Sequence, residues 1–366
     1  MTRDAIEWVG KMAMLRVGLI GFGLAGRVFH APLISSVEGL ELAATFERTT
    51  NKVAERYPGI ITYRSLDEML ADSSLDLFVV ATPNATHFEL ASKILSAGRN
   101  VVVDKPLAIS TAEIAELIRL AAEKNVLLAP FHNRRWDSDF QAIQKLLHEG
   151  SLGRLVEFES RFDRWRPNLP TDRLWKTDPL AGGGTLLDLG SHLVDQALVL
   201  FGKPLAVSAD VRSERNPLTA NDSFEVRLRY RDFMVKLGGN SLALPPAPRF
   251  HLRGTNGNYS KNGVDPQEAA LGKLTRIDDE NWGREPAANW GVLHVGIDGG
   301  EVARPIEPVH GDYRLYYEGI RDALLGKGPA PVTAIDAWRG LRILEWAMES
   351  EEKRCEIVCD WGGEPE

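Results

Sequence analysis

The segment GTLLDLGSHLVDQAL (184–198) sets Asp188, His192 and Asp195 among Leu, Val and Ala, at positions i, i+4 and i+7. That spacing puts all three on one face of a helix. Ionisable groups in an apolar helix are costly unless they are paired or line a wet cavity. A histidine one turn after a carboxylate is equipped to take a proton from a hydroxyl. The unperturbed imidazole titrates near 6.5, close to working pH, and Asp188 is placed to orient the ring or to hold a substrate hydroxyl. Asp195 reads as a supporting hydrogen bond. On this stretch alone, a satisfied core His–Asp pair explains the pattern equally well.

A second reactive group is Lys105 in NVVVDKPLAIS (100–110), where it ends an apolar run and precedes Pro106. The carboxyl ends of parallel strands border the ligand crevice of an open α/β sheet. A lysine there can hold a substrate oxygen and stabilise a developing alkoxide. Taken alone it is also an ordinary partner for Asp104.

A third signal is GFGLAG (21–26), in which Gly21, Gly23 and Gly26 form G-x-G-x-x-G with Leu24 and Ala25 between them. The motif directly follows the strand-like LRVGLI and opens a helix, the context in which its backbone can cradle a dinucleotide pyrophosphate. Glu47 stands where the fingerprint wants an acid for the ribose hydroxyls. Arg48, Thr49 and Thr50 beside it are what a 2′-phosphate would use. Glu47 leans the reading to NAD over NADP. Thr82 and Asn84 in ATPNATHF (81–88) reach the mouth of the same crevice. His87, Asp104 and Lys105 complete the cofactor-side candidates, with His87 more at home as a helix-start residue.

These residues need a scaffold. LRVGLI (15–20), LELAATF (40–46), LDLFVVAT (75–82), NVVVDK (100–105) and VLLAPF (126–131) are short apolar runs suited to a parallel sheet buried on both faces. Helical patterns at 87–98 and 110–125 separate them, the second opened by a capping box of Ser110 and Glu113. Pro32 predicts a break in the first helix near His30. From residue 132 onward LVEFESRFDRW, LAVSADVRSE, SFEVRLRYRDFMVKLGG and RFHLRGTNG alternate in the strand period, which suits an open, largely antiparallel sheet. Residues 258–309, rich in Gly, Asn and Pro, read as long surface loops. Two amphipathic helices follow over 312–350 and are expected to pack back on the first domain. The fold class is therefore α/β: an N-terminal extension (1–14), a Rossmann domain with a doubly wound parallel sheet (15–131), and a substrate and oligomerisation domain (132–366).

With 366 residues, 44% of them hydrophobic, the chain can bury more than one core. A net charge of −8 disfavours nucleic acid and acidic membrane surfaces as partners. No run is long enough to span a bilayer, and the charged N-terminus lacks a signal-peptide core, so a cytoplasmic protein is expected. Cys355 and Cys359 read as two buried thiols in a reduced compartment. They form no metal site with any histidine.

GFGLAG, the DKP of residues 104–106 and GGGTLLDLGSH (182–192), in that order, resemble the glucose–fructose oxidoreductase / inositol dehydrogenase / MocA family over nearly the whole chain from Leu15. FHAPL (29–33), FHNRRWDSDF (131–140), FDRWRP (162–167) and VDPQEAAL (264–271) look like a subgroup containing NADP-dependent scyllo-inositol dehydrogenases. The resemblance implies that Lys105, Asp188 and His192 are catalytic. It implies a sugar, cyclitol or related polyol as substrate, and a homodimer or homotetramer built on the open sheet. His192 is then the general base and Lys105 stabilises the alkoxide. Arg134, Arg135, Arg164, Arg166 and Trp165 are candidates for the substrate pocket, each equally able to tie loops together. Two departures stand out. Asp104 replaces the family's usual Glu, and Glu47 stands where the subgroup carries a small residue, so the subgroup favours NADP where Glu47 favours NAD. Two other functions fit the family: a glycoside hydrolase that oxidises its substrate transiently, and a non-catalytic cofactor-binding regulator. Retention of Lys105, Asp188 and His192 together argues against the second.

Overall fold

The computed structural model describes residues 14–171, 174–273, 277 and 281–365. Six strands form the first sheet: β1 (Leu15–Ile20), β2 (Leu40–Phe46), β3 (Ile61–Tyr63), β4 (Leu77–Val80), β5 (Asn100–Asp104) and β6 (Leu128–Phe131). All pair in parallel, in the order β3-β2-β1-β4-β5-β6. β4 runs as Leu-Phe-Val-Val with every side chain buried, as helices on both faces of a parallel sheet require. The strand order reverses between β1 and β4, so the exits of these strands open a crevice. β3, an edge strand of three half-exposed residues, is too short to show a period in the sequence.

The second sheet has nine strands: β7 (Leu155–Arg161), β8 (Ala206–Arg212), β9 (Ser223–Arg229), β10 (Met234–Asn240), β11 (Phe250–Gly254), β12 (Gly257–Lys261), β13 (Gly291–Ile297), β14 (Gly300–Ile306) and β15 (Ile357–Val358). Their order is β14-β13-β12-β11-β7-β10-β9-β8-β15, antiparallel except where β10 meets β7. The expectation of long surface loops over 258–309 fails here, since most of β12 and all of β13 and β14 lie within that range. Asp298 and Gly299, the latter at φ +82, form the two-residue turn between β13 and β14. An Asp-Gly hairpin signal was therefore present but hidden in a Gly-rich stretch. β14 is exposed along almost its full length, which strips it of alternation.

Pro32 does not break the first helix. The chain makes a π turn over Gly26–His30 and continues directly into Ala31–Ser36, the Ala31 N–H reaching the Gly26 carbonyl. The wider turn sits just ahead of the proline ring, where an ordinary turn would bring ring and carbonyl together. Ser110 caps Thr111–Lys124 as expected, accepting from Glu113 N at 3.2 Å, but the Glu113 carboxylate accepts from Ile109 N instead of closing the box.

Of the two C-terminal helices, Arg314–Leu324 packs on Ala31–Ser36 of the first domain, whereas Ala334–Lys353 lies between the domains, against Thr111–Lys124 on one side and β8 and Ser191–Phe201 on the other, so only the first packs back as expected. Tyr317 Oη pairs with His30 Nδ1 at 2.6 Å, and the Thr111 N–H donates to Glu345. Cys355 is exposed and Cys359 half-buried, so they are not the two buried thiols expected. Among the described residues, no helix is long and apolar enough to cross a membrane.

Candidate active site

The glycine loop leaves β1 with Gly21 at φ +95, a backbone conformation that an L side chain rarely adopts. A Cβ on Gly26 would lie 2.2 Å from the Gly21 carbonyl oxygen, so the loop closes on itself without room for a side chain. Gly23 differs: a Cβ there would meet no heavy atom within 4 Å. The first and third glycines serve the turn, while the second keeps a space open beside backbone N–H groups.

That space belongs to a cavity of about 620 Å³ between the strand exits of the first sheet and the helix Ser191–Phe201. Gly23, Leu24, Ala25, Thr82, Asn84, Asp104 and Lys105 line it from one side. Arg134, Arg164, Asp188 and His192 line it from the other. Asn84 bridges the two, its amide donating to the Gly182 carbonyl at 2.8 Å.

Lys105 Nζ donates to Asp188 Oδ1 and to the Asp188 carbonyl oxygen, both at 2.7 Å. Lys176 Nζ takes the other carboxylate oxygen at 3.0 Å. Asp188 therefore orients two ammonium groups and not the imidazole, which corrects one of the roles expected for it. Burial alone would raise its carboxyl, but Lys105 and Lys176 outweigh burial and hold it well below the usual carboxylate range. The local backbone assists. Leu186–Gly190 is a π turn that runs into the helix Ser191–Phe201, and its first N–H groups are held by Asn221, whose Oδ1 accepts from Leu186 N at 2.8 Å. Lys176, in the short 3₁₀ helix Leu174–Thr177, carried no periodic signal in the sequence. Its proximity follows only from the turn that brings residues 174–184 under the helix.

The His192 ring is buried in the cavity wall, with Nδ1 sealed and without a hydrogen-bond partner. Burial first, then the charges of Lys105 and Arg134, push it well below 6.5. His132, whose ring meets that of His192 edge-on at 6.2 Å, is pushed down too, chiefly by burial. Both rings are therefore neutral in the folded protein, whereas the unfolded chain takes up protons as pH falls through about 6.5. The stability they contribute is complete above that pH and is lost as pH falls toward the folded-state values. We expect the urea midpoint to drop between pH 7.5 and 5.5, and a His132→Asn/His192→Asn double variant to lose less over the same range. A full drop retained by the double variant would place the acid sensitivity elsewhere.

Other candidates move away from the cavity. Arg135 donates to both oxygens of Asp195, at 2.6 and 2.9 Å, and also pairs with Asp336, so it is a structural tie. That pair also accounts for Asp195. Trp165 is 52% exposed and does not line the cavity. His87 is fully buried, its ring nitrogens facing the Pro106 and Thr82 carbonyl oxygens at 2.7 and 2.8 Å. It clamps the exits of β4 and β5 to each other and has no surface for a cofactor. Glu47 is also turned inward, only 7% exposed. Its carboxylate accepts from Thr50 Oγ1, Lys52 N and Val53 N, capping the helix Lys52–Arg56. An acid that accepts from three donors of its own chain presents little surface to a ribose. Glu268, which pairs with Arg134 at the cavity edge, was not singled out as a site residue from the sequence.

Comparison with known proteins agrees with this geometry. Residues 15–132 match the oxidoreductase family's NAD-binding Rossmann fold, and residues 144–358 match its C-terminal alpha/beta domain. The chain is 40% identical over 344 residues to the oxidoreductase YdgJ of Escherichia coli, covering 94% of this chain and 98% of that protein. It is 34% identical over 350 residues to scyllo-inositol 2-dehydrogenase (NADP(+)) IolW of Bacillus subtilis, covering 96% and 97%. The solved structure of the B. subtilis oxidoreductase yvaA superimposes with a TM-score of 0.91 at 34% identity, covering 96% of this chain and 99% of that one. With both domains matched and relatives this similar along their whole length, the chain belongs to the Gfo/Idh/MocA family of NAD(P)-binding oxidoreductases.

Proposed function

We propose that this oxidoreductase interconverts a secondary hydroxyl of a sugar, cyclitol or related polyol and the corresponding ketone, with NADP as the partner. The observation that carries the reading is Lys105 held at 2.7 Å on Asp188 in the wall of the same cavity as His192 and the open side of Gly23. The residues present fit a nicotinamide dinucleotide. Gly23 offers room beside backbone donors, and Thr82, Asn84 and Asp104 line the way from that loop to Lys105. When bound, the nicotinamide ring supplies the acceptor for the hydride. The chain's own groups handle the proton. His192 Nε2, the ring nitrogen not sealed in the protein, takes the hydroxyl proton as the C–H bond breaks, and the ring becomes imidazolium. Lys105 Nζ donates to the oxygen as it gains charge, while Asp188 fixes where that ammonium points. In the reverse direction the same proton returns from His192 to the alkoxide.

The choice of NADP is supported by the second strand's exit. With Glu47 turned into its cap, Arg48 is left exposed and without an ion pair among the described residues, beside the hydroxyls of Thr49 and Thr50. IolW, an NADP-dependent relative, points the same way. Arg48→Ala is expected to weaken NADPH binding by about 10- to 100-fold, the worth of one charge-assisted contact, and to leave NADH binding within about 3-fold. Fluorescence titration checks this, and equal losses for both cofactors would remove Arg48 from the discrimination. The activity itself is tested by assaying cyclitols, aldoses and polyols with each cofactor for nicotinamide reduction. NADP-linked turnover of at least one class is the expected result, and no turnover with either cofactor would count against the proposal.

A further inference from the structure

The charges around the cavity do not balance. Among the described residues, six cationic side chains line it (Lys105, Arg134, Arg164, Arg166, Lys176 and Arg215) against the carboxylates of Asp104, Asp188 and Glu268. Two of the cations are neutralised by the protein. Arg215 donates to Asp222 at 2.7 Å, and Arg134 pairs with Glu268 and, at 3.3 Å, with Asp137. The rest are not. Lys105 and Lys176 share the single Asp188 carboxylate, while Arg164 and Arg166 have no ion-pair or side-chain hydrogen-bond partner among the described residues.

The backbone shows that this placement is built. The chain leaving β7 stays extended, with Arg164 N donating to the Asn240 carbonyl at 2.8 Å and Arg166 N to the Ser241 carbonyl at 2.7 Å. Alternation along an extended segment then sends Arg164 and Arg166 to one side and Trp165 to the other. The cavity lining includes both arginines and omits the tryptophan. Arg166 is exposed and Arg164 half-buried; burial, then the charges of Arg166 and Arg134, disfavour the Arg164 cation, and the more distant Glu268 and Asp188, each already paired with other cations, offset this only in part. The position of the pair also separates it from the cofactor's phosphates. Those phosphates belong at the glycine loop of the first sheet, whereas the arginines come from the second sheet, on the side that carries Asp188 and His192.

We infer that the substrate is anionic: a sugar or cyclitol derivative bearing a carboxylate or phosphate that Arg164 and Arg166 hold while the reacting hydroxyl lies at Lys105 and His192. The inference rests on the proposed dehydrogenase chemistry for the reacting hydroxyl, but the binding of the anion stands apart from it. A bound anion also offsets the surrounding positive charge that depresses His192, bringing its ring back toward a useful base.

The test uses matched probes, glucuronate and glucose 6-phosphate against glucose, and inositol monophosphate against inositol. Each is titrated calorimetrically into the enzyme–NADPH complex and assayed for turnover with NADP. The expected result is tighter binding of at least one anionic probe than of its neutral counterpart by about 10- to 100-fold. Which probe wins distinguishes carboxylate from phosphate. The Arg164→Gln/Arg166→Gln variant is expected to lose that preference, raising KM far more than it changes kcat, with NADPH affinity within about 3-fold of wild type. Equal binding of charged and neutral probes, no binding of any anion, or a preference that survives in the double variant would overturn the inference. So would a matching loss of NADPH affinity, which would assign the arginines to the cofactor. Arginine-dependent anion binding without turnover of any probe would instead count against the dehydrogenase reading and leave the anion site standing. Turnover of neutral probes alone would do the reverse.

Discussion

Lys105→Ala is expected to lower kcat by about 10³-fold while NADPH affinity stays within about 3-fold of wild type. The Nζ is the proposed donor to the reacting oxygen, and two 2.7 Å bonds to Asp188 hold it. Removing a single preorganised donor to a developing oxyanion typically costs about 10²- to 10³-fold, and here the deletion also removes the orienting partner of Asp188. Lys105→Arg should not restore the rate, because a planar fork cannot reproduce a point charge on the same two acceptors. A spectroscopic signature accompanies the loss. Lys105 is one of the groups that depress His192, so the imidazole should titrate at higher pH in Lys105→Ala. Steady-state kinetics, fluorescence titration and NMR of the ring protons check the three parts. A variant that kept near wild-type kcat would remove Lys105 from the chemistry.

The largest effect on stability is expected at Arg135. Its guanidinium lies fork to fork on Asp195, a residue only 2% exposed, and also meets Asp336 at the start of the long C-terminal helix. Arg135→Ala leaves Asp195 charged, buried and alone, which costs on the order of 3–5 kcal/mol. Arg135→Lys should recover only part, since one ammonium cannot satisfy two oxygens in that geometry. Replacing both partners, as in Arg135→Met/Asp195→Leu, should recover more than Arg135→Lys, because no charge is then stranded. Urea unfolding of the three variants checks the order. A loss below about 1 kcal/mol for Arg135→Ala would show that the pair is solvated in solution.

The two residues illustrate what the sequence could and could not convey. Local signals were legible because they are short-range. LRVGLI and LELAATF are β1 and β2 residue for residue, and the glycine loop has the turn that its spacing demands. The meeting of Lys105 with Asp188 was an implication of family resemblance, since no periodicity links positions 83 apart. Partner choice was not legible at all. Arg135 and Arg164 are residues of one type in two arginine-rich stretches, yet one is consumed by Asp195 and the other faces the cavity without an ion pair among the described residues. Glu47 occupies the position of a ribose acid, but a helix that starts at Lys52 presents N–H groups that claim it first. The π turn at Leu186–Gly190, which carries Asp188 to Lys105 and Lys176, likewise has no sequence signature.

The most direct test of the central claim follows the hydride itself. NADPH carrying deuterium at the transferable position of the nicotinamide ring is incubated with ketones derived from cyclitols, sugars and their acidic derivatives. The products are read by mass spectrometry, for wild type and for Lys105→Ala/His192→Ala. One deuterium bound to carbon in an alcohol product of the wild-type enzyme, and none above background with the double variant, is the predicted result. Label that appears equally with both proteins, or no labelled alcohol from any ketone class, would contradict the assignment of this cavity as a dehydrogenase site.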